Sequence, residues 1–78
     1  MQVILIDKLN GTAVGSIDLL SAENIFRYFN IQLNGIRLER VFDSKFSGNV
    51  YLIKERNEVI FSTVSKSRAM IEFAVLVK

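Results

Sequence analysis

Cysteine, histidine, proline and tryptophan are all absent from the chain. Without cysteine there is no disulfide, no thiolate metal site, no iron–sulfur ligation and no thiol nucleophile. Without histidine the commonest general base, the Ser–His nucleophile pair and the imidazole metal ligand go as well. Glycine is sparse: the four, at positions 11, 15, 35 and 48, make no phosphate-cradling cluster. Long uncharged runs are missing too, whereas a membrane helix needs roughly 18–20 such residues. The run 69–77 is interrupted by Glu72, and the opening run stops at Asp7 and Lys8 with no basic stretch before it. The expectation is a cytoplasmic protein with no membrane partner, no metal and no cofactor.

What is present is hydrophobic. Of 78 residues, 50% are apolar and 23% charged, with a net charge of +2. That is too apolar for a disordered tail and the right length for one domain, residues 1–78. A domain this small hides only about 60–65% of its unfolded surface. With no disulfide to staple it, packing or a partner must supply its stability.

The pattern along the chain predicts α+β architecture in the order ββαββββ. Gln2–Asp7 is apolar on both faces, as a central strand is, and Asn10-Gly11 is the preferred pair for a tight hairpin turn. Pairing across those two residues sets Ile4 opposite Ile17 and Ile6 opposite Gly15. Ser21 then reads as a helix cap, with Glu23 in the first turn. Ala22, Ile25, Phe26 and Phe29 recur at helical spacing and predict one amphipathic helix ending near Asn30. Asn34-Gly35 has two readings. It caps a longer helix, or it turns a hairpin in which Leu33 pairs with Ile36 and Ile31 with Leu38. From Gly35 onward the period is two, and four antiparallel strands are expected, the last over 68–77.

A turn at Arg56-Asn57 sets Ile53 opposite Ile60 and Leu52 opposite Phe61. In the final strand Met70, Ala74 and Leu76 share one face. The meander then looks apolar on both sides, more than one short helix covers. The sheet curls into a barrel or sandwich, or its second face is an interface with another subunit or partner. Leu52, Phe61, Met70 and Leu76 are the candidate interface residues, and segment 71–77 is a candidate for strand addition at an edge.

Charge divides unevenly. Residues 1–34 sum to −1 and residues 35–78 to +3. The turns around Lys45-Phe46 and Ser65-Lys66-Ser67-Arg68 are expected at one end of the sheet. Lys45, Phe46, Lys66 and Arg68 are therefore candidate contacts for RNA or DNA, by phosphate pairing and base stacking. Catalytic sets are not found. The seven serines have no histidine, and a lysine in the Ser65-Lys66-Ser67 turn stays solvated and charged. Asp7 and Asp18 lie close across the first hairpin but have no cleft for a sugar, and the acids lack calcium-loop spacing.

The opening Met1-Gln2-Val3-Ile4-Leu5, with Gly15 and a short helix near residues 22–30, resembles the rRNA-binding N-terminal domain of the ninth bacterial large-subunit ribosomal protein over the first half of the chain. That family carries a Gly-aromatic pair and an Asn-aromatic-Leu run around the helix, where this chain has Asn24-Ile25-Phe26-Arg27-Tyr28-Phe29. Its long connecting helix is replaced here by strands. No site residue carries over; the resemblance implies RNA as a partner. The residues themselves point to a small non-catalytic protein-interaction module. It either self-associates or acts as an inhibitor or adaptor of phage or plasmid type on a partner protein, with nucleic-acid binding as the alternative.

Overall fold

In the computed structural model, which describes residues 1–78, six strands form one antiparallel sheet. They are β1 (Gln2–Asp7), β2 (Ala13–Asp18), β3 (Phe29–Leu33), β4 (Ile36–Asp43), β5 (Gly48–Glu55) and β6 (Glu58–Thr63). Their spatial order is β2-β1-β3-β4-β5-β6. A 3₁₀ helix (Leu19–Asn24) follows β2, and the only α-helix, α1 (Lys66–Leu76), ends the chain. The arrangement is ββββββα, which corrects the expected ββαββββ.

The central helix is absent for a local reason. Asp18, not Ser21, caps the segment: its Oδ2 accepts from the Leu20 amide at 3.0 Å, and the turn that follows is 3₁₀. Four of the five residues after it, Ile25, Phe26, Tyr28 and Phe29, are β-branched or aromatic and favour strand over helix. β1 also needs a second neighbour, and β3 supplies it, with Leu5 opposite Ile31 and Asp7 opposite Phe29. The buried Ala22 and Phe26 that suggested a helical stripe sit instead on a segment crossing one sheet face. The helix that carried the likeness to the ribosomal rRNA-binding domain is therefore not formed.

Asn34-Gly35 is the hairpin turn. Both residues have positive φ, 50° and 80°, and Leu33 pairs with Ile36 and Ile31 with Leu38. In the first hairpin the turn is wider than Asn10-Gly11 alone. The Asp7 amide donates to the Thr12 carbonyl at 2.9 Å, and the register shifts between Leu5 and Ile6. Ile17 thereby lies opposite Val3 rather than Ile4. A one-residue slip exchanges faces, and this one sends Ile17 to the core. The same happens after Arg56-Asn57, which turns as expected with φ of 52° and 67°. A shift between Ile53 and Lys54 sets Ile53 opposite Phe61 and Leu52 opposite Ser62. Phe61 thus packs against the core rather than facing away from it.

The expected last strand is α1. Ser65 has extended backbone, and its Oγ accepts from the Arg68 amide at 3.2 Å, which starts the helix. Ala69, Phe73 and Val77 are buried at a spacing of four. Asn34 Nδ2 donates to the Val77 carbonyl at 2.6 Å and fastens the helix end to the β3–β4 turn.

The core lies between one face of the sheet and two covers. Val3, Ile31, Ile36, Leu38, Tyr51 and Ile53 come from strands; Leu19, Ala22 and Phe26 come from the crossing segment; Ala69, Phe73 and Val77 come from α1. β2 and β6 are not paired to each other, so the sheet does not close into a barrel. The second face is not uniformly apolar either. Half of the residues assigned to it belong to the helix, and its centre holds Gln32, Arg37, Glu39 and Lys54.

Two outcomes follow from this packing. Phe73→Ala costs about 3–5 kcal/mol, and Ile71→Ala stays within roughly 0.5 kcal/mol, both read by urea denaturation of the dilute protein. Equal costs would indicate a strand, in which the two residues share a face. The second concerns Lys8, whose Nζ reaches across β3 to the Arg40 carbonyl at 2.7 Å. Loss of water around the ammonium, then repulsion from Arg40, hold its pKa below the usual 10.5, with Glu39 opposing. The unfolded chain binds more protons in that window, so Lys8 adds stability as the pH rises towards 10.5. The stability difference between wild type and Lys8→Met moves in favour of wild type over that range; a flat difference contradicts the assignment.

Candidate interaction surface

A helix resting on a sheet ordinarily has one apolar side. α1 is apolar on both. Ala69, Phe73 and Val77 face inward, while Ile71 and Val75 remain 61% and 58% exposed on the outside. Beside them stands Leu20, 87% exposed, because the Asp18 cap turns Leu19 into the core and its neighbour out. Between the 3₁₀ helix and α1 runs a groove of about 540 Å³, walled by Leu20, Met70 and Ile71 with Glu23, Lys66 and the serines 65 and 67. Its floor is hydrocarbon, and its rim carries one carboxylate and one ammonium group. Further along the helix Arg68 and Glu72 form an i,i+4 pair at 3.7 Å. An exposed apolar strip of this kind makes this side of α1 the candidate contact surface.

The four interface residues expected from the sequence are dispersed. Leu52 lies on the sheet face away from α1, between the buried Tyr51 and Ile53. Phe61 and Met70 pack against the core, with Met70 also walling the groove. Leu76 is on α1, 40% exposed. A strand over 68–77 has no helical outside, so the sequence alone does not join Leu20, Ile71 and Val75 into one surface. The signal was the four-residue spacing of Ser67, Ile71 and Val75.

Lys45 and Phe46 sit in the β4–β5 turn, where Asp43 Oδ1 accepts from the Lys45 amide at 2.8 Å. Phe46 is 67% exposed. The start of α1 lies at the same end of the sheet, as expected. β6, however, stops with Thr63 opposite Tyr51, three residues short of Gly48, about 10 Å of strand. Lys66 shares its groove with Glu23, and Arg68 is paired to Glu72. The four residues do not converge on one hollow. No group of three or more acids is placed to hold a metal ion, and no helix is long and apolar enough to cross a membrane.

No family model, curated protein or solved structure matches the chain.

Proposed function

We propose that this chain is a non-catalytic protein-interaction module that associates with a second copy of itself through the outer side of α1 and the adjoining groove. The observation that carries this reading is the exposure of Ile71, Val75 and Leu20 in one strip. The charges favour a like partner. An apolar strip bordered by one acid, Glu23, and one base, Lys66, is complementary to itself about a two-fold axis. Two copies of α1 packed antiparallel set each Arg68 against the other copy's Glu72. Such rim charges add little affinity but fix the register.

Strand addition is a weaker route. Segment 71–77, the edge-strand candidate from sequence, is the end of α1 and its C-cap Val77. The true edges, β2 and β6, each carry a register shift against their neighbour, and bulges blunt an edge. An adaptor or inhibitor role follows from the same strip when a foreign surface offers equivalent chemistry.

Sedimentation velocity tests the reading. Wild type dimerises at high micromolar concentration. Ile71→Glu raises the dissociation constant roughly 10–100-fold, the worth of one buried aliphatic side chain, and leaves the unfolding midpoint of the dilute protein unchanged. Leu52→Ser, on the opposite face, leaves association as it was. A wild type that stays monomeric at millimolar concentration contradicts the proposal.

A further inference from the structure

The sheet face away from α1 carries a second feature, independent of the association surface. The turns Asn34-Gly35 and Arg56-Asn57 lie at the same end of the sheet, since Ile36 pairs with Glu55. Between them is a hollow of about 210 Å³ walled by Gln32, Gly35, Arg37, Lys54, Arg56 and Asn57. None of these six carries a carboxylate or an apolar side chain.

The hollow is electrostatically unusual for a sheet. Arg37 and Lys54 are directly opposite one another in the register, and like charges in that position destabilise a strand pair. The conflict is managed from behind. Glu39, with its side chain only 12% exposed and outside the lining, holds Lys54 Nζ at 3.0 Å and Arg37 Nη1 at 3.7 Å. Gln32 Oε1 accepts from Arg37 Nε and Nη2 at 3.1 and 3.0 Å. Both cations are thus fixed in place with only one carboxylate between them. Arg56 adds a third cation from a left-handed backbone, φ 52°, at a turn position where asparagine or glycine is the ordinary choice. The lining and the acid behind it thus hold three cations and one carboxylate, an excess of two positive charges at a concave, donor-lined place, with Glu55 and Glu58 outside it at the turn.

We propose that this hollow binds a phosphate group, taken as the dianion of a small phosphorylated ligand. Guanidinium groups match the oxygens of phosphate in planar, charge-assisted hydrogen bonds, and a fixed guanidinium loses less freedom on binding. The residual charge matches a single dianion. An extended polyanion is disfavoured, because Glu55 and Glu58 face each other immediately beyond Arg56 and no aromatic ring walls the hollow.

Titration of inorganic phosphate, and separately of phosphoserine, into the full chain at low ionic strength tests this, read by amide shifts in a two-dimensional NMR spectrum. Both probes give saturable shifts at Gly35, Arg56 and Asn57, which chloride at matched ionic strength does not reproduce. Equal affinity for the two assigns the site to the free anion, and tighter binding of phosphoserine assigns it to a monoester. Arg56→Asn keeps the left-handed turn and weakens binding about tenfold, one charge-assisted contact; Lys54→Gln does the same. Shifts that stay linear, that chloride reproduces, or that are unchanged in Arg56→Asn overturn the proposal. So does an oligothymidylate that binds more tightly per phosphate than either probe, which would assign the face to single-stranded nucleic acid.

Discussion

Phe26 and Phe73 enter the same face of the sheet from two separate covers and are 1% and 0% exposed. Phe26 meets the Tyr51 ring edge-on, with centroids 5.7 Å apart and planes at 89°. A six-stranded sheet has two broad faces, and these two aromatics fix which of them becomes the core. Their anchoring also dictates what is left outside. Once Phe73 points inward, helical geometry sends Ile71 and Val75 outward. Once Leu19 turns in beside Ala22, Leu20 must turn out. The exposed apolar strip is therefore a consequence of how the core is closed, with Leu20, Ile71 and Val75 left uncovered by residues 1–78.

The opposite face is finished differently. Instead of a second cover it has polar side chains that tolerate water: Gln32, Arg37, Glu39 and Lys54 in a connected network. That arrangement removes the need for a barrel or a second layer. It also concentrates positive charge at the end where two hairpin turns meet. The two faces so acquire different characters: hydrocarbon on the helix side, and on the bare side a charged network at one end of the strands with Leu52, Val41 and Val50 beside it.

Much of the sheet was legible in the sequence. The strands from Ile36 to Thr63 and the turn at Arg56-Asn57 follow from period two and turn chemistry, and the Asn34-Gly35 hairpin was one of two readings its residues allow. Two kinds of information were not legible. Bulges at Leu5/Ile6 and Ile53/Lys54 displace registers by one residue, which moved Ile17 and Phe61 to the core; nothing in local composition announces them. The second loss was the period of 68–77. Apolar residues occupy nearly every position there, so period two and period 3.6 fit alike. Ser65, an ordinary turn residue, was in fact a helix cap. The association strip was lost with that helix. The cationic hollow was hidden because Arg37 and Arg56 are 19 positions apart in the chain and meet only through the register of β4 with β5.

Association through this strip requires α1 to be a helix whose outside meets a second α1. The absence of cysteine makes a single spin label straightforward to place: Ser67→Cys at the groove, labelled, checked by sedimentation to dimerise as wild type does, and mixed with unlabelled, isotope-enriched chain. Relaxation enhancement between copies then reads the contact directly. Antiparallel pairing of two α1 helices gives broadening confined to Leu20 and the α1 residues around Glu72 and Val75. Broadening centred on β2, β6 or the face bearing Leu52, or none at all, would contradict it.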